Sequence, residues 1–185
     1  MDAFEYLSVL LSIILGLAIT QILQGYRGLM LSRSTVTLYL PPLIWSGLMI
    51  VIATQSWWAS FGLADHQGWT FATFSLILLQ TVLLYMMAAL VLPDVPAGQP
   101  VDLRAHFYRE VRPFFGIFLA MVVTSLVKDW MLGGMPDPGN LAFHLVFGAV
   151  SLAAMLVRRP RFHEIVAPLV AVLLAAYIFL LFARL

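Results

Sequence analysis

The chain has 185 residues, of which 62% are hydrophobic and 10% charged, with a formal net charge of +1 and a mean hydropathy of +0.97. A soluble domain is about half apolar and a quarter charged, so water is not the principal solvent here. Cysteine is absent, which excludes disulfides, cysteine-ligated metals, iron–sulfur clusters and thiol catalysis, and the few basic residues sit beside apolar runs, which excludes a nucleic-acid surface.

Six apolar stretches follow in chain order, at about residues 4–26, 38–61, 71–92, 113–132, 141–157 and 162–182. Each is near the length that crosses a hydrocarbon core about 30 Å thick. The pattern predicts an all-α integral membrane bundle of six transmembrane helices, one polytopic domain over 1–185. The longest connection, 93–112, is too short for a soluble catalytic domain.

The N-terminus carries Asp2 and Glu5 but no basic residue, so the first stretch lacks the form of a signal peptide and is expected to stay in the mature protein. Within it Glu5, Ser8, Ser12, Gly16, Thr20, Gln24 and Arg27 recur every three or four residues and share one helix face. The other faces are what lipid tolerates, so this stripe is expected to meet protein, water or a ligand. The second and third stretches carry Gln55 and Gln80, amides that need hydrogen-bond partners inside a bilayer.

Between the third and fourth stretches, residues 93–100 are rich in helix breakers. Asp102 then has the character of an N-cap for a short amphipathic helix over 103–112, with Leu103, Phe107 and Val111 on one face. It is expected to lie at the membrane interface.

The fourth stretch echoes the first. Gly116, Ala120, Thr124 and Lys128 repeat the four-residue spacing, which suggests a 3+3 inverted repeat. Packed antiparallel, the first and fourth spans would form one small-residue seam closed by end ion pairs, Glu5 with Lys128 and Arg27 with Glu110. Lys128 also adjoins Asp129, where an ion pair is expected rather than a Schiff base.

The turn before the sixth stretch presents Arg158, Arg159 and Arg161 to lipid headgroups. His163-Glu164 does not open a HExxH site, because Ala167 stands where the second histidine belongs. His66 and His144 fall on one side, His106 and His163 on the other, and none is deep enough for haem. No catalytic residue, metal or cofactor is expected.

Orientation follows from charge. Arg27, Arg33, Arg104, Arg109, Arg112, Arg158, Arg159 and Arg161 fall on one side, Lys128 and Arg184 on the other. This bias predicts both termini outside, with Trp57, Trp58, Trp69 and Trp130 at the outer ends. The resulting expectation is a multi-pass protein of the bacterial cytoplasmic (inner) membrane. It reads as a channel or transporter for a small solute or ion, with a polar path along spans 1 and 4 and further lining from Gln55 and Gln80. The alternative is a non-transport scaffold, complex subunit or lipid-binding module in which the same stripe is a packing seam. The bilayer is the expected partner, together with a second copy or a membrane subunit.

Overall fold

Lipid offers no hydrogen bonds to the backbone, so an apolar chain of this kind must satisfy its own amides, and helices do so within each segment. The computed structural model describes residues 3–95 and 100–181. Its helices are α1 (Ala3–Leu31), α2 (Leu40–Ser60), α3 (Phe71–Val91), α4 (Leu103–Gly133), α5 (Pro138–Leu156) and α6 (Pro160–Leu181). All six are long and apolar enough to cross a membrane, which makes this a polytopic membrane protein.

Local chemistry sets the ends. Prolines open α2, where a missing N–H costs nothing. Thr70 and Thr73 form a reciprocal capping box at α3. Asp102 accepts from the Arg104 and Ala105 amides at 2.8 and 3.0 Å, and Asp137 caps α5 in the same way.

One expected boundary is corrected. The amphipathic segment begins at Leu103 behind Asp102, but it is not a separate helix on the membrane surface: it is the first part of α4, which runs unbroken through Pro113. Its apolar face is buried in protein, since Leu103, Phe107 and Val111 are each at most 6% exposed.

Helices α2, α3, α4, α5 and α6 are neighbours in that order round a closed ring, and α1 lies outside it against α3 and α2. The face α1 turns inward is Leu7, Leu11, Leu15, Ala18, Ile22 and Leu29. Near its C-terminal end the approach is close: a Cβ on Gly25 would lie 2.8 Å from Leu92 Cβ, and one on Gly28 2.8 Å from Val95 Cβ.

Three connections gather at one end of the bundle. A two-residue parallel pair joins β1 (Val36–Thr37) to β2 (Val101–Asp102), and Arg158 donates to the Tyr108 carbonyl at 2.7 Å. Tyr39 shares a hydroxyl hydrogen bond with Tyr108 at 3.2 Å and lies under the Arg104 guanidinium; burial, then that bond, push its phenol above the usual range. This is the arginine-rich end.

The bundle is solid beside it. Trp45, 1% exposed, makes edge contacts with Phe114, Phe115 and Phe118 at ring distances of 5.2–5.6 Å. His163 lies among Phe107, Tyr108, Phe115 and Phe162, its Nε2–H donating to the Val157 carbonyl at 2.7 Å.

Candidate functional site

The opposite half of the ring is hollow. A cleft of about 240 Å³ lies among α1, α2, α3, α4 and α6, lined by Gln55, Ser56, Ser60, Gln80, Thr81, Ser125, Lys128, Asp129 and Tyr177 beside apolar neighbours such as Leu11 and Leu15. A smaller part of about 70 Å³ shares Gln55, Ser56, Gln80, Ser125 and Tyr177 and reaches His144 and Phe118. Phe118 is also a member of the Trp45 cluster, so the cleft ends on an aromatic floor.

A hydrogen-bond network fixes one wall. Lys128 Nζ lies 3.4 Å from Asp129 Oδ1, and Asn140 Nδ2 donates to Asp129 Oδ2 at 2.9 Å. The Tyr177 hydroxyl donates to Asn140 Oδ1 at 3.3 Å. His144 Nδ1–H donates to the Asn140 carbonyl at 2.8 Å, which leaves Nε2 to accept from the Ser125 hydroxyl at 3.0 Å. Asn140 therefore joins α4, α5 and α6 in one arrangement.

Ser125 and His144 stand as a nucleophile and base stand in acyl transfer. Ser125, however, lies inside α4, where the helix itself uses the surrounding backbone N–H groups, so these cannot serve its hydroxyl as an oxyanion hole. What the cleft offers is binding: amides that donate and accept, hydroxyls that do either, and one ammonium beside one carboxylate.

Of the residues singled out from sequence, Gln55, Gln80 and Lys128 come together here. The stripe on α1 does not join them. Ser8 is half-buried, while Glu5, Ser12, Gly16, Thr20, Gln24 and Arg27 are exposed on the bundle's outer surface. The reason is local: Ser8, Ser12 and Thr20 donate to the Glu5, Ser8 and Gly16 carbonyls of their own helix, so their hydroxyls need no partner across an interface. Ser12 Oγ also accepts from Trp57 Nε1 at 3.1 Å, a link to α2.

The expected seam between the first and fourth spans is likewise corrected, because α1 packs on α3 and α2 while α4 packs on α3 and α5. Gly116 faces Met155 of α5, and Thr124 is buried with its hydroxyl on the Ala120 carbonyl. Lys128 takes Asp129, and Glu110 takes Arg109 at 2.7 Å, rather than Glu5 and Arg27. Of the three arginines assigned to headgroups, Arg158 serves Tyr108, and Arg159 and Arg161 are exposed. Arg184 lies outside the described residues.

Sequence reading passed over Ser56, Ser125, Asn140 and Tyr177 as site residues. A usable signal was present: Ser125 and Asp129 are four apart on α4, and Asn140 and His144 four apart on α5, so each pair shares a face. Comparison with family models, curated proteins and solved structures yields no match to this chain. The functional reading therefore rests on the cleft.

Proposed function

We propose that the protein is a transporter that binds a small polar solute in the cleft and opens one end at a time, rather than a continuously open channel. The observation that carries this reading is the blind end: polar lining from α2, α3, α4 and α6 stops at the Trp45–Phe118 floor. A channel needs its hydrated path to continue, whereas a site hydrated from one side and plugged on the other is what alternating access requires. The cleft's single ammonium and carboxylate, set among amides and hydroxyls, suit a solute without net charge.

The absence of native cysteine makes substituted cysteines a direct test. Ser56 lines the cleft, and Val111 is buried on the arginine-rich side of Trp45. With a membrane-impermeant thiol reagent, transport predicts that Ser56→Cys reacts from the tryptophan-bearing side. Val111→Cys reacts, more slowly, from the arginine-rich side. A channel lets either position react from both sides, and a static scaffold leaves Val111→Cys unmodified; that last outcome would end the transport reading.

One observation favours a second reading, a complex subunit. Gly16 has open space where a side chain would go, and Thr20 and Gln24 are exposed beside it, so α1 offers a close-packing face to another helix. Gly16→Leu is then expected to leave the fold intact and reduce the oligomer size seen by light scattering in detergent. An unchanged oligomer would remove this reading.

A further inference from the structure

The wall between the cleft and the bilayer is one side chain thick. Gln55 lines both parts of the cleft and also a third hollow of about 370 Å³ between α2 and α6, walled by Ile50, Val51, Thr54, Trp58 and Ile178. On α2, Thr54 faces this groove while Ser56 faces the cleft; on α6, Ile178 faces the groove while Tyr177 faces the cleft. The Thr54 hydroxyl is occupied by the Ile50 carbonyl of its own helix at 3.0 Å, so the groove is apolar up to the Gln55 amide. Polarity thus changes sharply across a single half-buried residue.

We propose that the solute taken by the cleft is a single-chain amphiphile that enters sideways from the bilayer. Its head passes Gln55 into the cleft, and its tail stays in the α2–α6 groove. This rests on the cleft being the binding site, and it names the class of ligand. The tail exchanges contact with lipid for contact with Ile50, Val51 and Ile178 at little cost, so recognition falls to the head, which gains hydrogen bonds to amides and hydroxyls. Lys128 and Asp129 already neutralise one another, and an added net charge would be enclosed without a counter-charge. The head is therefore uncharged or zwitterionic.

The test uses the full chain in phosphatidylcholine nanodiscs, with Ser56→Cys carrying a polarity-sensitive bimane. The probes are lysophosphatidylcholine and glycerophosphocholine, which share a head and differ by the tail. The tailed probe is expected to shift bimane emission saturably at a concentration about tenfold or more below the tail-less one, because the chain delivers it through the bilayer. Ile178→Trp, which fills the groove, is expected to remove that advantage while leaving the response to glycerophosphocholine unchanged. Thr54→Trp, from an exposed position on the opposite wall, does the same should the first variant misfold. Lysophosphatidylglycerol, with a net negative head, is expected to respond about tenfold more weakly than lysophosphatidylcholine. Equal responses to the tailed and tail-less probes would overturn sideways entry while leaving the cleft as a solute site. No response to either probe would overturn the amphiphile proposal, with the cleft as a solute site judged separately by the cysteine accessibility test, and an equal response to the anionic probe would refute the claim about charge.

Discussion

Gly16 and Gly25 are the same residue type on one helix, yet they meet opposite surroundings. Nine residues at about 100° each make two and a half turns, so the two lie on opposite faces of α1. Gly16 looks outward into open space, while Gly25 touches Leu92. Small-residue spacing was legible in the sequence, but which small residue marks the tight contact was not, because hydroxyls bonded to their own helix make a polar stripe compatible with lipid. The two glycines should respond with opposite sign. Gly25→Ala sets a methyl 2.8 Å from Leu92 Cβ, close to backbone and unable to swing away, and should destabilise the protein by about 1–3 kcal/mol. Gly16→Ala meets nothing, and should be neutral or stabilising by up to about 1 kcal/mol through helix propensity. Denaturation of both variants in matched detergent compares them; equal losses would show that Gly25 is not the close contact.

At the scale of elements, α4 shows where local reading succeeds and where it stops. Its start was legible, because Asp102 is a cap by chemistry that involves only its neighbours. Its continuity was not, because a proline and a change from charged to apolar composition read as a boundary. Yet buried Leu103, Phe107, Val111, Phe114 and Phe118 keep a spacing of three or four residues across Pro113, so one face stays in the core throughout. Asp102 also pairs with Thr37, so the cap helps to hold the α1–α2 connection. Asp102→Ala is expected to cost about 0.5–2 kcal/mol and to speed hydrogen exchange at the Arg104 and Ala105 amides. Protection unchanged at both amides would mean that the cap does not hold this end of the helix.

For the whole molecule, six spans and their charge asymmetry are readable from composition and length, because the bilayer constrains both. Which helices are neighbours is not. Gln55, Gln80 and Lys128 stand out in the sequence because each is costly in lipid without a partner, but the cleft that brings them together depends on how α1, α2, α3, α4 and α6 pack, which no single segment encodes. The same packing makes Trp45 decisive. It fills the arginine-rich half at 1% exposure, and its contact with Phe118 separates the cleft from the other side. Trp45→Ala should destabilise the bundle by about 3–5 kcal/mol, since an indole that size leaves a cavity the rigid neighbours cannot close. If the floor is the barrier, folded Trp45→Ala protein in liposomes should also admit urea faster than wild type, measured by stopped-flow light scattering. Trp69→Ala, a half-buried change in the α2–α3 connection, is the control for perturbation in general and should leave urea entry at the wild-type rate. Entry through Trp45→Ala no faster than through that control would mean that the barrier lies elsewhere in the ring.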